Sequence, residues 1–342
     1  QVMTATLAQL AQRPLSSAEM RTAMEQIMSG EAPVQDVSDF LRTLAVRGET
    51  DKEIAGAVRS LWEHQVGSLE FASPRPELCD TCGTGGDGQG TFNISTLAAI
   101  VAAACGVRIA KHGNRAASSR CGSADLLEAL GMNLAATPQQ IVRSVETVGF
   151  GFYFAPRFHP AMKAVAEVRK ALGIPTIFNL IGPLANPAYP LTFQFVGVAD
   201  ERRRWPMAQA LQRLSIRHGL VVHGADGLDE VTTTGETRVA EIGSPSKRPI
   251  NSLSPGEYGL PRATSEQLRG GDVAANAAIA RNVLSNEATP QQRDIVVLNA
   301  GCVIYTANQA KDIQEGIQKA VDALESGRAQ TVLERAVEIS RS

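Results

Sequence analysis

The stretch Asp80-Thr81-Cys82-Gly83-Thr84-Gly85-Gly86-Asp87-Gly88-Gln89-Gly90-Thr91-Phe92-Asn93-Ile94-Ser95-Thr96 reads as the end of a strand, a glycine-rich loop and the start of a helix. Five glycines fall between positions 83 and 90. Glycines let the backbone close in on an anion, and the N–H groups of a helix start point toward it. The Asn, Ser and Thr side chains add donors, and a serine hydroxyl can also ligate a hard cation. Gly83, Gly85 and Gly88 satisfy the spacing G-x-G-x-x-G, but a dinucleotide site also expects an acid about 20 residues on. That region, Ala103 to Gly113, holds Arg108 and Lys111 and no acid. No Gly-Lys-Ser/Thr closes the loop, which excludes a P-loop. The bland alternative is a glycine-rich turn that binds nothing.

Working outward, Val107–Ala110 reads as the next strand, and behind it runs Lys111-His112-Gly113-Asn114-Arg115-Ala116-Ala117-Ser118-Ser119-Arg120-Cys121-Gly122-Ser123-Ala124-Asp125. Taken alone, a basic loop is ordinary solvated surface. Two anion-suited loops on consecutive strands instead fit a ligand with two separate phosphate groups, bound at the C-terminal edge of a parallel sheet. A third strand end, Gly219–Val222, leads into His223-Gly224-Ala225-Asp226-Gly227-Leu228-Asp229-Glu230. Adjacent carboxylates are usually solvated; here they could hold Mg²⁺ through oxygen, which would shield a departing pyrophosphate.

The rest of the chain supplies the frame. Residues 1 to about 70 read as helices only, opened by a capping box at Ser16–Glu19 and again by Thr50-Asp51. Gly67 to Glu77, with Pro74 and Pro76, reads as a linker. Strands are then expected at 78–82, 107–110, 150–154, 193–198 and 219–223. Helices are expected at 96–105, 124–130, 138–148, 201–214, 274–284, 290–306 and 312–326, with one more from His159 to Leu172. Residues 243–272 read as an irregular excursion. The fold class is α/β: a small all-helical domain plus a large α/β domain whose central, mostly parallel sheet is covered by helices. The boundary between them is expected at about residue 72. With 342 residues, 44% apolar and 20% charged, the chain has ample core. A net charge of −2 argues against a general nucleic-acid binder, and no apolar run approaches the about 18 residues of a membrane span. Val2 to Leu10 is broken by Thr4, Thr6 and Gln9, so a cytoplasmic protein is expected. The five cysteines, including the Cys79/Cys82 pair, read as buried structural thiols rather than disulfides or a zinc site.

Several motifs together resemble the anthranilate phosphoribosyltransferases: Gly83–Asp87, Asn93–Thr96, Lys111–Arg115, His159-Pro160-Ala161-Met162-Lys163, Asn179–Leu184 with Asn186-Pro187, and Asp229-Glu230. The likeness runs from about residue 16 to the end. It implies two domains about a cleft, the helical one being 1–72 completed by about 159–190 and the α/β one 73–158 and 191–342. It further implies a homodimer joined through the helical domain, and transfer of the phosphoribosyl group of PRPP (phosphoribosyl pyrophosphate) to anthranilate. It also implies Mg²⁺, two ions per active site. By motif, PRPP would meet Gly83, Gly86, Asp87, Thr91, Asn93, Ile94, Ser95, Thr96, Lys111, His112, Gly113, Asn114, Arg115, Ser119 and Ser123. Anthranilate would meet Gly83, His112, Asn114, His159, Arg169 and Pro183, and Ser95, Asp229 and Glu230 would hold the metal. No residue is expected to act as a covalent nucleophile; Lys111 and Arg169 would support catalysis by charge. Related class II nucleoside phosphorylases share the fold and a glycine-rich loop without the Lys-His-Gly-Asn set, and are the rival enzyme reading. A non-catalytic, nucleic-acid-binding relative should lack the Asp-Glu pair and carry a basic surface. The chain departs from the family's usual Leu-Gly-Ile-Arg-Thr in reading Leu172-Gly173-Ile174-Pro175-Thr176, which points at acceptor specificity.

Overall fold

The computed structural model describes residues 6–116 and 119–342. Val2 and Thr4 of the leader reading, and Ala117 and Ser118 of the second loop, lie outside the described residues. The chain opens with helices α1 (Leu7–Leu10), α2 (Ser17–Met28), α3 (Val34–Arg47) and α4 (Asp51–Glu63). Both expected capping boxes form: Ser16 with Glu19 and Thr50 with Glu53, each worth about 1 kcal/mol. Glu53 goes further. Fully buried, it also accepts the Leu15 N–H at 2.8 Å and pairs with Arg47 at 2.5 Å, tying three helices together.

The strands are β1 (Leu78–Gly83), β2 (Arg108–Gly113), β3 (Phe150–Phe154), β4 (Phe193–Gly197), β5 (His218–Gly224), β6 (Thr237–Ile242) and β7 (Ser252–Leu253). They order as β3-β2-β1-β4-β5-β6-β7, the first five parallel and the last two antiparallel. Between β1 and β2 lies α5 (Ile94–Ala104); α6 (Ser123–Ala129) and α7 (Pro138–Val148) lead from β2 to β3. From β3 the chain detours through a 3₁₀ turn (Pro160–Val165), α8 (Ala166–Leu172) and α9 (Ile177–Leu184) before reaching β4 on the far side of β1. The strand order therefore reverses between β1 and β4, the crevice where open α/β sheets bind ligands. After β4 come α10 (Arg204–Arg213) and, beyond β7, α11 (Val273–Leu284), α12 (Pro290–Thr306), α13 (Ile313–Glu325) and α14 (Arg328–Arg341).

Two cores sandwich the sheet. One joins α5 and α11–α14 to the face carrying Cys79 and Ile109; α12 is buried nearly all round, as its continuous apolar run requires. The other joins Leu78, Ala110 and Val196 to the N-terminal helices, to α10, and to Val168, Ile177 and Ile181 of the detour. The helical unit thus shares its core with one sheet face. Three expectations need correction. Residues 159–172 are not one helix: Pro160–Val165 wind as 3₁₀ and only Ala166–Leu172 as α-helix. The excursion 243–272 contains β7. β6 was not expected at all.

Candidate active site

Asp229 sits across the crevice. A Cβ added at Gly83, the last residue of β1, would stand 2.2 Å from Asp229 Oδ2, and one at Gly197, the last of β4, 1.6 Å from its carbonyl oxygen. Only glycines leave room there. The Asp229 Oδ2 accepts the Gly85 N–H at 2.8 Å, and the neighbouring Glu230 Oε1 accepts the Ser95 N–H at 3.1 Å, at the start of α5. The segment is held from both sides. Asp226 accepts the Thr232 and Thr234 hydroxyls at 2.7 Å, while Asn299 clasps Val231 through N–H and C=O at 2.9 and 2.8 Å.

Burial and the nearby Asp87 charge push the Asp229 carboxyl up to about 7. Burial and Asp229 push Glu230 well above the carboxylate range, against the pull of Lys111. Like charges gathered in this way favour the arrival of a counter-charge. The donors offered by Asp87, Asp229, Glu230 and Ser95 are all oxygen, the set a hard divalent cation takes.

The loop after β1 turns through left-handed backbone at Gly85 (φ 66°) and Gly86 (φ 76°), which favours glycine. Its far end is pinned by a bridge from Thr91 to Arg269 and by the Gly270 N–H on the Gly90 carbonyl, so the excursion has a task the sequence did not show. Asn93 Nδ2 donates to the Cys121 carbonyl at 3.0 Å and Asn93 Oδ1 accepts from Asn276 at 3.1 Å, which ties the first loop to the second. The strand runs past the expected Ala110, so Lys111 lies in β2, buried, its Nζ donating to the Thr81 carbonyl. Ser123 Oγ reaches the Asn114 carbonyl at 3.5 Å, and Ser119 Oγ the Cys121 carbonyl at 3.5 Å. Arg115 is paired with Asp125 and Glu128 on α6. Ile94 and Thr96, in the first turn of α5, are buried, and the Ile94 N–H is donated to the Phe92 carbonyl at 2.8 Å.

Beside the Gly83–Thr84 end of the first loop opens a cavity of about 480 Å³. It brings together Gly83, His112, Asn114, His159, Arg169 and Pro183. Sequence reasoning missed several others that line it, among them Leu61, Cys82, Met162 and Phe178. The apolar face of α4 and the short α9 could have pointed to Leu61 and Phe178; nothing local marks Cys82. Arg169 lies over the Phe178 ring at 5.5 Å, and burial lowers its pKa. Among the described residues no carboxylate pairs with it. Pro175 is exposed and does not line the cavity.

His112 Nδ1 is 2.6 Å from Asp80 Oδ2, and its Nε2 is 2.6 Å from the Gly182 carbonyl. Asp80, Cys82 and His112 place ligand atoms within 4.8 Å of one another. The Cys82 thiol donates to the Pro183 carbonyl at 3.3 Å, and burial pushes its pKa up, as for an inert structural thiol. His159 donates Nε2–H to the Ala185 carbonyl at 2.7 Å, and burial lowers its pKa to about 4. Because the folded value lies below that of an unfolded histidine, the unfolded chain binds the extra proton first as pH falls. Stability should therefore drop by about 3 kcal/mol between pH 6.5 and 4. Urea unfolding across that window should show the drop in the wild type, and His159→Gln should lack it; an unchanged pH slope in the variant would refute the assignment.

A Glycosyl transferase family a/b-domain model matches residues 75–330, and a helical-bundle-domain model of the same family matches 5–65. Fold and site define a glycosyl transferase of this class. An anthranilate phosphoribosyltransferase of Rubrobacter xylanophilus is 49% identical over 331 residues, covering 96% of this chain and 94% of its own. The crystal structure of the Thermus thermophilus anthranilate phosphoribosyltransferase has 45% identity and a TM-score of 0.91, covering 99% of this chain and all of that one. The Saccharomyces cerevisiae enzyme, solved with PRPP and Mg, has 30% identity and a TM-score of 0.87 over 96% of this chain and 94% of its own. The chain belongs to the anthranilate phosphoribosyltransferase family.

Proposed function

We propose that the protein transfers the 5-phosphoribosyl group of PRPP to the amino group of anthranilate, giving N-(5-phosphoribosyl)anthranilate and pyrophosphate. The observation that carries this reading is Arg169: a half-buried guanidinium without a carboxylate partner among the described residues, in an apolar-walled cavity that opens onto a glycine loop. A flat aromatic acid supplies the missing anion and fills the walls. Its carboxylate can take two parallel N–H bonds from the guanidinium.

In the reaction, the amine nitrogen attacks the anomeric carbon, the bond from that carbon to the pyrophosphate oxygen breaks, and the amine proton leaves. The loops after β1 and β2 hold the two phosphate groups of PRPP, with Asn93, Lys111 and Ser123 among the donors. Arg169 and Asn114 orient the acceptor. His159 is a weak base with its Nε2–H committed, and both nitrogens of His112 face acceptors, so neither is placed as proton carrier. Rate enhancement then comes from positioning and electrostatics. Asp229, Glu230 and Ser95 would hold Mg²⁺, two ions per site, which neutralises charge on the leaving pyrophosphate.

The proposal includes a homodimer through the helical unit, where α3 leaves Val34 (71%) and Val46 (80%) exposed, and a cytoplasmic setting. Among the described residues no helix is long and apolar enough to cross a membrane. The test is the loss of anthranilate fluorescence with PRPP, with and without Mg²⁺. The expected result is Mg²⁺-dependent consumption with one pyrophosphate released per anthranilate. Release of free base from pyrimidine nucleosides and phosphate, with anthranilate untouched, would instead favour the phosphorylase reading.

A further inference from the structure

The wall of the acceptor cavity formed by the end of α9 is hung from its carbonyl oxygens. Gly182 C=O accepts from His112 at 2.6 Å, Pro183 C=O from Gln194 at 2.7 Å, and Ala185 C=O from His159 at 2.7 Å. Gly182 and Pro183 line the cavity, so whatever fixes their carbonyls fixes the surface an acceptor touches. Behind this wall is Asp80, with no exposure at all, on β1. Its Oδ2 collects His112 Nδ1 at 2.6 Å and Asn186 Nδ2 at 2.8 Å, while its Oδ1 has no partner. Asn186 Nδ2 also reaches the Ala110 carbonyl at 2.7 Å.

We propose that Asp80 is a positioning residue for the acceptor, acting through His112 to hold the Gly182–Pro183 wall. One ring nitrogen of His112 faces the Asp80 carboxyl and the other the Gly182 carbonyl, so with Asp80 ionised both bonds are N–H donations from the ring. Cys82 from β1, His159, and Lys163 and Arg169 from the detour line the same cavity as the ring, and its ion-pair partner is Asp80. Asp80 touches no substrate in this arrangement. Its chemistry reaches the cavity by way of imidazole and carbonyl, toward a substrate class of small aromatic acids. The inference rests on the reading of this cavity as the acceptor site.

The experiment combines a double-substitution cycle with one spectrum. In Asp80→Asn, KM for anthranilate should rise about thirtyfold, with KM for PRPP within about twofold of wild type. In a His112→Asn background the same Asp80 substitution should add less than about twofold, because its route to the cavity is already cut. Equal rises for both substrates, or effects that multiply in the double variant, would mean that Asp80 only supports the strand and would overturn the proposal. Nitrogen-15 NMR of the wild-type ring, assigned by its loss in His112→Asn, should show two protonated nitrogens at neutral pH. A single protonated nitrogen overturns the proposal even if Asp80→Asn does not fold. Should the wild type consume no anthranilate while the ring shows both protons, the reaction assignment fails and the Asp80–His112 link stands.

Discussion

Asp229→Ala is expected to lower kcat/KM for PRPP by about a thousandfold, equivalent to about 4 kcal/mol of lost transition-state stabilisation. Asp229 is not a generic surface acid: two strand ends have given up every side-chain atom to seat it, and like charges at Asp87 and Glu230 stand beside it. Removing it leaves the remaining oxygen donors in place, so raising Mg²⁺ should recover part of the loss. Pyrophosphate release measured over a range of Mg²⁺ concentrations separates a shifted metal requirement from a lost one. Gly83→Ala should reproduce the defect with every carboxylate intact, since its Cβ would lie 2.2 Å from Asp229 Oδ2 and force that side chain away. Wild-type kinetics in Asp229→Ala would remove this residue from the site.

The second large effect is specific to the other substrate. Arg169→Ala should raise KM for anthranilate about a hundredfold, near 3 kcal/mol, for loss of a paired, charge-assisted contact. KM for PRPP should stay within about twofold, because the glycine loops are untouched. Arg169→Lys should recover only part, as an ammonium is a point charge without the planar fork. The thermal response should have the opposite sign. A half-buried cation without a partner costs stability in the free protein, so the alanine variant should melt at the same temperature or higher. A variant that binds anthranilate normally, or one that unfolds, would show that Arg169 serves the fold and not the acceptor.

How far the sequence could be read depended on how local each signal was. β3, β4 and β5 carry the apolar stretches Phe150–Phe154, Phe195–Val198 and Leu220–Val222, and buried parallel strands announce themselves in that way; β1 and β2 hold polar residues and were marked by the loops that follow them. β6, Thr237–Ile242, carries charge at Arg238 and Glu241 and gains its place by pairing with β5 and β7. Glu241 is stable inside because His218 and Tyr305 bond to it at 2.8 and 2.7 Å, partners 23 and 64 residues away. Helix α9 was hidden by Gly182 and Pro183, which sit harmlessly in its last turn. Helix α14 buries Ala329, Val332, Leu333 and Ala336, a helical spacing too weakly apolar to stand out. In the site, the loops that approach phosphate were legible because backbone conformation dictates glycine. Asp80 and Cys82 were not, for their meaning lies in carbonyls about a hundred residues further along.

The detour between β3 and β4 carries a consequence for how such a protein can change. Most of the acceptor cavity, from Ala155 to Ala185, is one continuous insertion that joins two strands without belonging to the sheet. The loops that would grip the phosphates follow β1 and β2 and are encoded elsewhere. Changes confined to that one stretch of gene can therefore reshape most of the cavity wall while the glycine loop and the Asp229–Glu230 segment are inherited unchanged.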